Sequence, residues 1–162
     1  MGKMGSFDMS GMKQLQKELN KLAESNADAF VEECAKELAA RLLAKVIRRT
    51  PVGDYPKESG KKGGTLRRGW TSQQSGSEGL KTKGAKGYVD SLKVNHYGDT
   101  FVIEIVNPVE YASYVEYGHR TANHKGWVKG HFMMTISEQE IQEIAPKVLE
   151  NKLKKFLGEC LK

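Results

Sequence analysis

The sequence predicts a mixed α+β fold, and three observations carry that expectation. A long apolar stripe at helical spacing runs from Asn26 to Arg49. Two β-rich runs, Val89–Asn95 and Thr100–Val106, flank the turn residues Tyr97-Gly98-Asp99. A second long helical pattern starts at His131 and continues to the C-terminal region. With 162 residues, one domain is expected over 1–162. A hydrophobic content of 38% is low for that length, so the core should be modest and joined to exposed segments.

The first nine residues read as frayed. Asp8 or Ser10 can cap a short helix over roughly 10–23, with Met12, Leu15, Leu19 and Leu22 on one stripe. Ser25 and Asn26 interrupt it. In the next helix Phe30, Val31, Cys34, Leu38, Leu42 and Ile47 mark the apolar face, with Ala27, Ala35, Ala39 and Val46 filling in. That stripe is wide enough to lie on a sheet. Asp28 suits its positive end, and Lys45, Arg48 and Arg49 suit its negative end. Thr50-Pro51 ends it, because the residue before proline avoids helical geometry.

Residues 51–64 hold two prolines and four glycines and read as a basic flexible loop. Thr65–Trp70 reads as the start of a strand. Residues 71–87 are again polar, glycine-rich and basic, and are expected to be mobile without a partner. Across the hairpin that follows, Phe101, Ile103 and Ile105 alternate with Val102, Glu104 and Val106, the period of a half-buried strand.

Asn107–Arg120, NPVEYASYVEYGHR, holds three of the six tyrosines of the chain: Tyr111, Tyr114 and Tyr117. Spaced three apart, they fall on or near one stripe of a short helix, with Ala112 and Val115 beside them to face the sheet. Gly118 should stop that helix. Two readings stand: a helical plug over the sheet, or an aromatic docking surface with dry bodies and wet tips. Residues 118–130 read as a loop. In the last helix Phe132, Met133, Ile136, Ile141, Ile144 and Leu153 lie on the apolar side, and Pro146 should kink or split it.

The formal charge of +6 is uneven. Arg41 to Lys86 carries twelve Lys/Arg against three acids, a local +9. Such a patch suits a polyanion or an acidic partner, and equally a lysine-rich loop kept soluble. Apolar runs long enough to span a membrane are absent from the sequence, and MGKMGSFDMS is too polar for a signal-peptide core. Assembly in a cytoplasm is the expectation, with Cys34 and Cys160 as reduced thiols.

Little points to catalysis. His119, His124 and His131 are five and seven apart, which matches no metal-ligand spacing, and no cysteine lies near them. Phosphate-binding glycine motifs and a nucleophile elbow are missing. A nuclease site from Glu116, His119 and basic residues is a remote alternative without a motif behind it. The other alternative is a basic nucleic-acid-binding protein using Arg41–Lys86, though no recognition helix or base-stacking platform accompanies the charge.

TPV at 50–52, GTLRRGW at 64–70 and NPVEYASYVEYGHR at 107–120 together resemble the tail-completion, or head–tail joining, family of long-tailed phages. That family runs TPV-x-T-G-x-L-R-x-S-W/F, a hairpin, and N-x-x-x-Y-A-x-Y-V-E-Y/F-G-T/H-R. A glycine-rich loop with an aromatic–Met pair follows, which His131-Phe132-Met133-Met134 fits. The order covers about residues 10–160, and the Y-A-x-Y-V-E-Y-G part is the specific one. Two departures are longer, basic connections: DYPKESGKK after TPV, and residues 71–87 before the hairpin.

The resemblance implies a structural protein with no catalysis and no cofactor. Its fold would be a small antiparallel sheet with a long helix packed across it and a C-terminal helix beside them. It would form a ring, usually hexameric, at the head-proximal end of the tail, in the neck of the virion. Its partners would be other copies of itself, tail tube or tail terminator proteins and the head–tail connector. Phage, defective prophage and tail-like bacteriocin settings are all compatible. In a ring, Tyr111, Tyr114, Tyr117 and Arg120 are the expected subunit or tail contacts. Arg67, Arg68, Lys81, Lys83 and Lys86 are the candidates to face DNA in the lumen.

Overall fold

The computed structural model describes residues 13–17, 20, 27–72 and 84–160. The frayed start, Met12, Leu19, Leu22, Lys81, Lys83 and most of the 71–87 connection fall outside those residues. Lys13–Lys17 is helical, in keeping with the short first helix expected there.

Helix α1, Ala27–Arg49, follows the expected stripe, with Asp28 in its first turn and Arg48 and Arg49 in its last. Its most buried residues are Cys34, Leu43 and Val46, so the core contact lies nearer the C-terminal end than the stripe implied. Leu43 and Val46 have no exposed surface. Each such side chain contributes roughly 1.5–3 kcal/mol over leaving it in water. They pack with Leu66, Trp70, Tyr88, Val89 and Met133 as the central cluster.

The fold is α+β, but its strand content differs from expectation in four places. Thr65–Gly69 is a helical turn, α2, rather than the start of a strand. Gly84–Ser91 is a helix, α3, so the last residues of the expected mobile loop and Val89 of the expected strand are helical. Tyr88, Val89 and Leu92 stand at helical spacing, and all three pack against the core. The hairpin is shorter than expected: β1, Asn95–Tyr97, pairs antiparallel with β2, Thr100–Val102, across Gly98-Asp99. Past β2 the alternation persists to 110, with Ile103, Ile105, Asn107 and Val109 half-buried and their neighbours exposed. No strand among the described residues pairs with it there.

The short helix α4 spans Ala112–Tyr117. Residues 118–130 are not an irregular loop. They form a second hairpin, β3 at Gly118–Arg120 paired antiparallel with β4 at Trp127–Lys129. Helix α5, Met133–Cys160, runs unbroken through Pro146. A proline removes one amide bond and crowds the preceding turn, but α5 is held against α1 on both sides of it. Phe30 stacks on Phe156 with ring centroids 4.4 Å apart, and Lys152 donates to Glu33 at 2.5 Å. At the other end Lys45 donates to Glu140 at 2.5 Å and Arg49 donates to the second oxygen of the same carboxylate. These pairs run in opposite sequence directions, so α1 and α5 lie antiparallel.

The Lys45 hydrogen bond, reinforced by the charges of Arg49 and Lys45, holds the Glu140 carboxyl below its ordinary value. A lowered folded value stabilises the fold above the unfolded value, about pH 4.3, and that contribution is lost as the pH falls through the folded value. Glu140→Gln should therefore lower the melting temperature near neutral pH, and the gap from wild type should close in acid. Melting curves that stay parallel down to pH 3 or so would show that Glu140 does not bind α5 to α1.

Candidate functional site

The three motif segments meet at two anchors. The first is Thr50, which is fully buried. Its hydroxyl donates to the Val46 carbonyl at 2.7 Å and accepts the indole N–H of Trp70 at 2.7 Å. Its carbonyl accepts from Arg67 Nε at 3.2 Å and Nη2 at 2.7 Å, so Arg67 caps the negative end of α1. Asn107 joins the third segment to this anchor. Its amide donates to the Leu66 carbonyl at 2.9 Å, while its side-chain oxygen accepts from the Val109 N–H at 3.2 Å. Gly69 makes room for it, since a Cβ there would sit 2.2 Å from Asn107 Oδ1.

The second anchor is Glu116, a charged side chain only 6% exposed. Its carboxylate accepts the backbone N–H groups of Met134 and Thr135, both at 2.9 Å, and the Thr135 hydroxyl at 2.7 Å. It thus serves the unpaired amides and the positive end of α5. The backbone adds two ties, with His131 N–H donating to the Val115 carbonyl at 2.8 Å and Phe132 N–H to the Glu116 carbonyl at 3.0 Å. Gly118 ends α4 at φ 87°, its N–H donating to the Tyr114 carbonyl. A side chain there would meet the left-handed penalty and place its Cβ 2.4 Å from the Val128 carbonyl oxygen.

With Ala112, Val115 and Glu116 turned inward, the tyrosines face out. Tyr111, Tyr114 and Tyr117 are 45%, 59% and 64% exposed, too much for a plug. They do not share one surface. Successive steps of three residues each turn by about 60°, so the first and last tyrosine diverge. Tyr111 and Tyr114 line a cleft of about 270 Å³ with Tyr55, Lys62, His119 and Lys129, and among the described residues no acidic side chain borders it. The Tyr114 and His119 rings meet edge-on at 5.8 Å. Tyr117 instead borders a shallow depression with Trp70, Val106 and Met134. Arg120 is exposed on β3.

The basic candidates separate. Arg67 is committed to the Thr50 carbonyl. Arg68 is exposed, donating to the Gly63 carbonyl at 3.2 Å. Lys86 is exposed on α3, beside Glu33, Glu37 and Asp90. Lys81 and Lys83 lie outside the described residues. Among those residues, no group of three His, Cys, Asp or Glu side chains could hold a metal. The Glu116 carboxylate, which the nuclease alternative needed, has both oxygens engaged by α5.

The sequence reading missed the two anchors. One signal was present for Glu116: the residue before α5 is Phe132, which offers no side-chain acceptor where Ser, Thr, Asp or Asn is preferred. A long helix without its own cap calls for an acceptor from elsewhere in the chain.

Residues 13–118 match a family of phage tail proteins, described as Bacteriophage HK97-gp10, putative tail-component. The class is thus a structural component of a phage tail. The chain belongs to the HK97-gp10-like family, in agreement with the resemblance its motifs carry. No curated protein and no solved structure matches it. Among the described residues no helix is long and apolar enough to cross a membrane.

Proposed function

We propose that this tail component forms a ring at the head-proximal end of the tail and joins the tail to the head's connector. Tyr111, Tyr114, Tyr117 and Arg120 contact the neighbouring subunit or the tail. The observation behind this reading is the exposure of three tyrosines, one just before and two on a helix whose inner face is already fixed by Glu116 and Val115. A six-residue helix is marginal alone, and packing on one side suffices to hold it. The outward tyrosines are therefore free for a partner, and Tyr and Arg are the residue types that dominate binding hot spots. A head-to-tail contact that closes by rotation makes a ring. The acid-free lining of the cleft favours an acidic partner segment. Arg68 and the lysines at 81, 83 and 86 would meet DNA passing through the lumen.

The double change Tyr114→Ala with Arg120→Ala tests the contact. Assembly should weaken by about 2 kcal/mol or more, roughly 30-fold in affinity. The melting temperature of the free protein should stay within a degree or two, since both side chains are exposed. Tail joining at the wild-type level by the doubly substituted protein would remove this surface from the assembly.

A further inference from the structure

A second surface lies along the N-terminal half of α1, away from the Thr50 anchor at its C-terminal end. Phe30, Val31 and Leu38 of α1, Phe101 of β2, and Leu149 and Leu153 of α5 line an open groove of about 650 Å³. Cys34 and Pro146 also line it. Val31 and Leu153 are 39% and 45% exposed, so apolar side chains stand uncovered along its length. Asp99 and Glu150 border it, Glu150 already accepting from Lys154 of the same helix. An uncovered apolar groove with an acidic border is the seat of an amphipathic helix with basic flanks.

The chain itself carries such a segment. Met12, Leu15, Leu19 and Leu22 repeat at three- and four-residue steps, the seam spacing of a helix that packs on other helices. Lys13, Lys17 and Lys21 lie between them, against one acid, Glu18. A helix over residues 12–22 would span about 15 Å, against about 12 Å for Phe30–Leu38 of α1, so the lengths would match. Leu15 belongs to the described helical residues, yet it is 53% exposed, so it does not fill the groove of its own chain.

We propose that this groove receives the apolar stripe of residues 12–22 from a second copy of the chain. The exchange is head-to-tail, since the donor segment and the groove are different surfaces. It rests on the ring reading only in taking another copy as the partner. The seam leucines replace solvent over Val31, Phe101 and Leu153, and the lysines meet Asp99.

Mixed thiol pairing tests the proposal. One variant carries Leu15→Cys, the other Leu153→Cys, and both carry Cys34→Ala and Cys160→Ser. After mixing and mild oxidation, a covalent heterodimer should be the main product, with each variant alone giving only traces. A single chain carrying both new thiols that closes on itself while the mixture gives no heterodimer would place the segment in its own groove and overturn the proposal. Absence of both products would overturn it as well. As a second arm, Leu15→Asp in the otherwise natural chain should melt like wild type. Wild type should associate with rising concentration in sedimentation and the variant should not; equal association by the two proteins would count against the exchange. Tail joining by rings that lack the crosslink would leave the ring reading standing and remove this contact alone. A heterodimer from protein that never joins tails would do the reverse.

Discussion

Trp70→Ala should destabilise the free protein by about 3–5 kcal/mol, the range for truncating a buried aromatic. Trp70 is 5% exposed and sits among Leu43, Val46 and Leu66. Its loss opens a cavity and also leaves the Thr50 hydroxyl without the indole donor. Trp70→Phe separates the two effects. It keeps most of the packing and gives up the hydrogen bond, so it should cost about 1 kcal/mol for that bond plus a smaller packing loss. Denaturant midpoints at constant slope would measure both. An alanine variant within about 1 kcal/mol of wild type would mean that the Thr50–Trp70 contact is peripheral to the core.

Glu116→Ala should be the second largest loss, about 2–3 kcal/mol, because hydrogen bonds to a charged group exceed ordinary ones and two amides of α5 lose their acceptor. Glu116→Gln keeps one acceptor oxygen and should fall between wild type and alanine. The defect should be one of stability: protein that remains folded should still present Tyr111 and Tyr114. This contrasts with Tyr114→Ala and Arg120→Ala, where the melt is spared and assembly suffers. If Glu116→Ala melted like wild type but failed to assemble, the carboxylate would be a contact residue instead of a cap.

The two long helices were legible because each repeats one apolar stripe over six turns or more, and Thr50-Pro51 marks one end sharply. The short elements were not. TLRRGW is too brief to show any period, and its helical turn is set by distant partners, Thr50 for Arg67 and Asn107 for the Leu66 carbonyl. GYVDSLKV carries the β-prone Tyr88, Val89 and Val94. Its helical state follows from where Tyr88 and Val89 must reach to meet α1, a tertiary preference that overrides local propensity. The second hairpin has three-residue strands, with charged or large exposed side chains in GHR and WVK, and offered no alternation to read. For the candidate surface, the tyrosine spacing and the Gly118 stop were readable. The divergence of Tyr117 from the Tyr111–Tyr114 cleft follows from helix geometry and was available too. The role of Glu116 was harder, since its partners lie 18 and 19 residues away and a carboxylate in sequence looks the same whether it caps or catalyses.

The antiparallel seating of α1 on α5 also has a mechanical meaning. Its fastenings stand at the two ends of a shared length of about 24 Å: the Phe30–Phe156 stack with Glu33–Lys152 at one, Glu140 with Lys45 and Arg49 at the other. A pull along the helix axes strains both ends together, so they must yield in the same event. A pull across the axes would open them one after the other, as a zip opens. The pair therefore resists a load along α1 and α5 better than one across them.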